Sequence, residues 1–264
     1  MKSTVRNTLA ELLLKSFDDS ETRSAIEWLC VFCEMAARKD RPEVPLGELL
    51  RARAKLPPQV DSRVESTLGH LVGPGKLLRL RRADTGEVHS GGISRTAKGI
   101  PWLVEPQADA RAAFSSVCER ARLYADLVAG MGKCGLASSS RDPLRKVMAE
   151  AALCFNAGLF FEAHEHLEHS WASQPKGPTK RFLQGIIQIS VGFHHACTGK
   201  YDGAINQLGK GLEKTSGTTG EFLGLDCDTF LPKVSAVRNA IMARGRTKMR
   251  ALLPSEIPRV PIGQ

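Results

Sequence analysis

Three histidines and three glutamates crowd into eight residues of the stretch Phe155 to Trp171, which reads FNAGLFFEAHEHLEHSW. Side chains of these types bind divalent metals, exchange protons near neutral pH or hold one another in hydrogen-bonded networks. At helical spacing Phe160, Ala163, His164, Leu167 and Trp171 share one stripe, with Glu168 at its edge. Glu162, Glu165, His166 and His169 fall on the other side. The first stripe is expected to point inward and the second to be a solvated face. Burying His164 and Glu168 costs free energy unless each finds a partner, so partners are expected nearby.

A second helical segment offers them. Gln184, Gln188, Val191 and His195 recur at i, i+4, i+7 and i+11, a straight stripe. If antiparallel packing brings this stripe against His164 and Glu168, a polar cluster forms inside an apolar bundle. The candidate cluster is Glu162, His164, Glu165, Glu168, Trp171, Gln184, Gln188 and His195. Three chemistries suit it: a divalent metal held by His164, Glu168 and His195; acid/base work by His164 with Glu168; or a polar network that fixes helix register under Trp171. His164-Glu165-x-x-Glu168 lacks the second histidine of the zinc-protease pattern H-E-x-x-H, which excludes that class. No glycine-rich phosphate loop or nucleophile elbow stands out.

The elements that must position these residues are helical. Asp142-Pro143 starts a helix to about residue 157, Phe160 to Ser173 forms the next, and PKGP at 175–178 turns the chain. Thr179 to Thr198 and Tyr201 to Thr215 complete the set. Gly158-x-Phe160-x-x-Ala163-x-x-x-Leu167 overlays Gly199-x-Tyr201-x-x-Ala204-x-x-x-Leu208, a repeat that resembles tetratricopeptide-type helical hairpins. With RFLQGIIQISVGFHHACTGKYDGAINQLGKGLEK following, residues of about 145 to 215 resemble the bacterial and archaeal family described as domain of unknown function 309. Asn156, Gly158, Glu162, His164, Glu165, Glu168, Trp171, Gln184, Gly185 and His195 match its pattern, whereas His166 and His169 are additions. The resemblance implies a compact helical bundle and no particular reaction.

Towards the N-terminus, Ser3 to Phe17 and Ser20 to Arg38 read as helices, the second capped at Ser20. Val44-Pro45-Leu46 leads into another, Pro57-Pro58 breaks it, and Val60 to Val72 supplies a further helix. Lys76 to Arg82 reads as a strand, ADTG at 83–86 as a tight turn and Glu87 to Ile93 as the returning strand. Residues 20 to 105 thereby resemble the winged helix-turn-helix superfamily, which implies contact with duplex DNA. The second helix of the pair would present Gln59, Ser62, Arg63, Ser66 and Thr67, and the wing Arg79, Arg81 and Arg82. From Arg51 to Lys98 there are ten Lys/Arg against four Asp/Glu, an excess suited to phosphate. Winged helices also bind proteins, and strand arginines can be merely solvated.

The fold class expected is mainly α: a winged-helix-like domain over 1–105, a connecting helix (Ala108 to Ala129) and glycine-rich linker over 106–141, and an all-α, TPR-like bundle over 142–215. A C-terminal helix from Lys233 to Ala243 and a basic tail fill 216–264, with seven Lys/Arg against Glu256 alone between Lys233 and Arg259. The chain of 264 residues is 42% hydrophobic and 25% charged, the balance of a globular protein, and its net charge of +9 allows an anionic partner such as DNA. No signal-peptide core or membrane span is legible, so a cytoplasmic location is expected. Seven irregularly spaced cysteines fit reduced thiols, and Cys30-x-x-Cys33 reads as two core cysteines more readily than as a metal or redox motif. Three functions fit these features. They are a DNA-associated regulator with a helical ligand- or partner-binding domain, a metal-dependent or acid/base enzyme centred on His164, Glu168 and His195, and a protein-interaction adaptor, with a protein partner or homo-oligomer compatible with each.

Overall fold

The computed structural model describes residues 1–38, 42–52, 64–89, 101–134 and 142–261. They are mainly helical with a small antiparallel sheet, and they fall into two compact units, Met1–Gly130 and Met131–Gln264. Residues 106–130 thus belong to the first unit and 216–261 to the second.

In the first unit, helices α1 (Ser3–Ser16) and α2 (Ser20–Ala36) bury the residues that recur at helical spacing: Val5, Leu9 and Leu13 on one, Ile26, Leu29 and Cys33 on the other. The cap of α2 is Asp19 rather than Ser20. Its carboxylate accepts from the backbone N–H of Glu21 and Thr22 at 3.1 and 3.0 Å. Strand β1 (Val44–Pro45) runs into α3 (Leu46–Ala52), and α4 (Val64–Gly69) precedes β2 (Leu78–Arg82). Pro57-Pro58, Gln59, Ser62 and Arg63 lie outside the described residues.

Along one edge β2 pairs with the segment that returns from the 83–86 turn, as far as the described residues reach. A return begins there, with Arg82 N donating to Glu87 O, His89 N to Leu80 O, and a bridge between Arg81 and Val88; residues 90–93 lie outside the described set. The full antiparallel ladder joins β2 to β3 (Trp102–Pro106), from Leu78↔Pro106 to Arg82↔Trp102. β3 also pairs with β1, so the sheet order is β1-β3-β2. Prolines 101 and 106 bracket this strand and disguise it in sequence, since proline is tolerated only at strand ends and edges. Complete burial of Val104 is what holds it in the sheet. The expected helix over 108–129 is two, α5 (Ala108–Ala112) and α6 (Phe114–Cys134), broken at Ala113. α6 runs through Gly130, so the first residues of the expected linker are helical.

In the second unit, Asp142 caps α7 (Pro143–Asn156) by accepting from Leu144 N at 2.9 Å. α8 (Phe160–Ser173), α9 (Pro178–Cys197) and α10 (Tyr201–Thr215) follow at the expected places. Gly158 at φ +77° and Gly199 at φ +70° close α7 and α9, which accounts for the glycine in the sequence repeat. α9 and α10 approach through facing glycines. A Cβ on Gly211 would meet the Gly185 carbonyl oxygen at 2.7 Å, and one on Gly192 would meet the Leu208 side chain at 2.7 Å. Phe155 of α7 makes edge-on contacts with Phe160, Phe193 and Phe230 at centroid distances of 4.9, 5.6 and 5.8 Å, knitting four helices into one core.

A short hairpin, β4 (Glu221–Phe222) and β5 (Leu225–Asp226), leads into α11 (Cys227–Arg244), which starts six residues before the expected Lys233. Asp226 caps it at Thr229 N, and Pro232 is accommodated inside. The expected basic tail is a packed strap. Leu252, Ile257 and Val260 are buried, Leu252 N donates to Ala196 O, and the Asn156 amide both donates to Val260 O (3.1 Å) and accepts from Val260 N (2.7 Å). Arg250 is held bidentately by Glu256 at 2.7 and 2.6 Å.

Candidate functional site

Helix α8 lies between α7 and α9 and is covered by both. Phe160 packs on Phe193 of α9, at 6.0 Å between centroids, and Ala163 and Leu167 are buried as their stripe requires. Of the stripe expected to be solvated, His169 is exposed and Glu165 partly so, but the other two residues turn inward. Glu162 is fully buried, and the His166 ring nitrogen lies 2.7 Å from Glu150 of α7, itself only 2% exposed, with Lys146 Nζ 3.7 Å from the other carboxylate oxygen. Cys154 of α7 is fully buried. Burial, then the charges of Glu162 and Glu150, push its thiol well above the ordinary range, so it stays protonated. A solvated-face reading of Glu162 and His166 therefore fails for a physical reason: a helix with neighbours on two sides buries two stripes, and periodicity alone identifies one.

His164 instead stands at the edge of the bundle. Its ring rests beside Phe161 at 5.7 Å, Nε2 is 3.1 Å from Glu168 and Nδ1 is 3.4 Å from Glu165, with Glu168 more than half exposed. One ligand atom from each of His164, Glu165 and Glu168 lies within 4.8 Å of the others, the one such group of three among the described residues. An imidazole and two carboxylates on one helix turn form a half-shell that leaves coordination positions open, suited to a divalent first-row ion. The residue that joins His164 and Glu168 is Glu165 and not His195.

His195 is turned the other way. Its ring fills the notch at Gly203 of α10, where a Cβ would meet it at 2.7 Å. Burial, and then the charge of Lys200, depress its pKa below the ordinary histidine value. Gln184 and Gln188 are half-buried on the same helix, and the Gln188 Oε1 and His195 Nδ1 atoms are buried without a hydrogen-bond partner among the described residues. Trp171 is half-buried, with the Lys180 ammonium 4.9 Å from its ring centroid. The eight expected residues divide among an edge triad (His164, Glu165, Glu168), a buried network (Glu162 with Glu150, Cys154 and His166), the α9 positions (Gln184, Gln188, His195) and Trp171 by itself near the end of α8. Glu150 and Cys154 were the omission; their signal is a glutamate and a cysteine at i and i+4 within the small-residue run AEAALC.

In the first unit, the arginines expected to form a wing are committed to the protein. Glu105, 2% exposed, is contacted by Arg79 at 2.7 Å, Arg81 at 3.1 Å and Arg111 at 2.9 Å, and Arg81 also reaches Glu43. Burial alone would raise the Glu105 pKa, but the hydrogen bonds and charges of Arg79 and Arg81 outweigh it and hold the carboxyl below its ordinary value. Arg82 is chelated by Asp84 at 3.0 and 2.7 Å. Ser66 is exposed and donates to Glu21, whereas Thr67 is buried.

Residues 148–207 match the family model described as Domain of unknown function (DUF309). That span opens in α7 and closes in α10, and it contains the edge triad and the whole buried network except Lys146. No curated protein and no solved structure matches the chain. No helix among the described residues is long and apolar enough to cross a membrane.

Proposed function

We propose that the protein is a DNA-associated regulator whose first unit is a winged helix-turn-helix module. The observation that supports this reading is the order of elements: α2, edge strand β1, α3, α4, then β2 and β3 in a sheet ordered β1-β3-β2. A module of that order sets its second helix in the major groove and its β2–β3 connection against the backbone. With Arg79, Arg81 and Arg82 neutralised in place, phosphate attraction falls to the other cations between residues 51 and 98, such as Arg53, Lys55, Arg63, Arg95 and Lys98. The test is fluorescence anisotropy of the full chain with duplex DNA over a series of salt concentrations. Kd should rise steeply with salt, and Arg63→Ala or Lys98→Ala should each reduce the log–log slope by about one, as expected for loss of a phosphate contact. No binding at low salt removes the reading.

A second reading concerns the second unit, which we infer binds a divalent cation through His164, Glu165 and Glu168. The convergence of their three ligand atoms favours it. Such a site would make the DUF309-matching bundle the ligand-sensing part of the regulator. Titration of the chelator-treated chain with Mn²⁺ or Zn²⁺ should show one site per chain that Glu168→Gln weakens strongly, because an amide is a poorer ligand than a carboxylate. Equal affinity of the variant excludes the site. Failure of both DNA and metal binding leaves the adaptor reading.

A further inference from the structure

Where the end of α2 meets the first half of α6, the first unit opens a cleft of about 590 Å³, within the size range of small-molecule sites. Among the described residues its apolar wall comes from Ala36 and Ala37 at the end of α2 and from Phe114 and Leu123 of α6. Phe32 braces Phe114 edge-on at 6.2 Å, which makes that ring a fixed surface. Leu123 is 37% exposed, apolar area that the fold itself does not cover.

Charge in the cleft comes in both signs. Glu119 and Arg122 line it from one turn of α6, at i and i+3, a spacing that sets Cβ atoms about 5 to 6 Å apart. Neither side chain makes an ion pair or hydrogen bond among the described residues. The last turn of α2 carries no basic residue, and Arg38 beyond it does not line the cleft, so the negative end of that helix adds to the Glu119 carboxylate. The carboxylate and the helix end favour a cation, and the guanidinium favours a carboxylate in two-pronged contact.

We propose that this cleft binds a free α-amino acid with an aromatic side chain. An ammonium and a carboxylate on one carbon match the two signs held one helix turn apart: Glu119 and the α2 terminus take the ammonium, and Arg122 takes the carboxylate. The aromatic ring lies on Phe114 and Leu123, which removes apolar area from water on both sides. A carboxylic acid without the amine, or an amine without the acid, leaves one protein charge desolvated and unpaired, and this costs affinity. The site lies wholly within the first unit, apart from the His164 triad, and it stands whether or not that unit contacts DNA.

The experiment is isothermal titration calorimetry of the full chain at neutral pH with L-phenylalanine, 3-phenylpropionate and phenethylamine. L-Phenylalanine should bind saturably, and each single-charge analogue should bind roughly tenfold or more weakly, the scale of one hydrogen bond to a charged group. Glu119 and Arg122 are both exposed, so the conservative variants should fold, and they separate the two roles. Arg122→Gln should weaken L-phenylalanine by roughly tenfold without weakening phenethylamine, and Glu119→Gln should weaken it to a similar degree without weakening 3-phenylpropionate. Hydrogen exchange with L-phenylalanine present should slow across residues 33–37 and 114–123. Absence of saturable L-phenylalanine binding, an analogue that binds as tightly, unchanged affinity in either variant, or protection confined to other segments overturns the proposal.

Discussion

Replacement of Glu105 by glutamine tests how the first unit is held together and what its arginines are for. The carboxylate is 2% exposed and joins three guanidiniums, from Arg79 and Arg81 on β2 and Arg111 on α5. Glutamine keeps the volume and one acceptor but leaves three cations facing a neutral group. Orphaning a buried ion pair costs about 3 to 5 kcal/mol, and the lower end, about 3 kcal/mol, applies because partly exposed arginines recover water. Their side chains are 31%, 25% and 43% exposed. A loss of that size in a unit of this length lowers Tm by roughly 10 °C. Thermal and urea unfolding followed by far-UV circular dichroism would measure it. pH gives a second, independent signature. The folded pKa of Glu105 is depressed, so its contribution is complete above the ordinary carboxylate value of 4.5 and is lost as pH falls through the folded value. Wild type should therefore lose stability below about pH 4.5 faster than Glu105→Gln, whose amide does not titrate. A variant within 1 kcal/mol of wild type at pH 7, with the same acid limb, would refute the network as a structural element.

Three further outcomes are expected. Arg79→Ala should lower the stability of the first unit while leaving the salt slope of DNA binding nearly unchanged, since this guanidinium is spent on Glu105; a slope lowered by about one would return it to the phosphate contacts. Gly211→Ala gains about 1 kcal/mol of helix propensity but places a methyl 2.7 Å from the Gly185 oxygen and from Ile189. Overpacking of about 1 to 3 kcal/mol should exceed the gain, so urea denaturation should show net destabilisation, and a stabilised variant would mean the helices are not in contact there. Asn156→Ala removes both bonds to Val260, and hydrogen exchange should rise across residues 250–261 while α9 and α10 remain protected; unchanged exchange would mean the strap is held by its apolar residues alone.

Much of the helical architecture was legible in the chain because its signals are local. Periodic apolar residues, Asp142-Pro143 at a helix start and glycines 158 and 199 at helix ends act within a turn or two of themselves, so α1, α2 and α7 to α10 lie within a residue or so of expectation. Within the edge triad the pairing of His164 with Glu168 was legible for the same reason, four residues apart on one helix, whereas Glu165, expected on the solvated side, joins them only in the structure. What periodicity could not supply was the number of neighbours each helix has. α8 has two, so Glu162 is buried and His166 meets Glu150 of α7, while His195 lies against Gly203 of α10.

Secondary structure, turn positions and the polar composition of the candidate site were therefore determined by sequence, because backbone propensity and capping depend on residues a few positions apart. Pairing was decided only by the tertiary structure. β2 chose the proline-bracketed strand at 102–106, Arg79 and Arg81 chose Glu105, and Asn156 chose Val260. Each of these choices joins groups 20 or more residues apart, where the desolvation of a buried charge or amide selects the one partner that packing brings within reach.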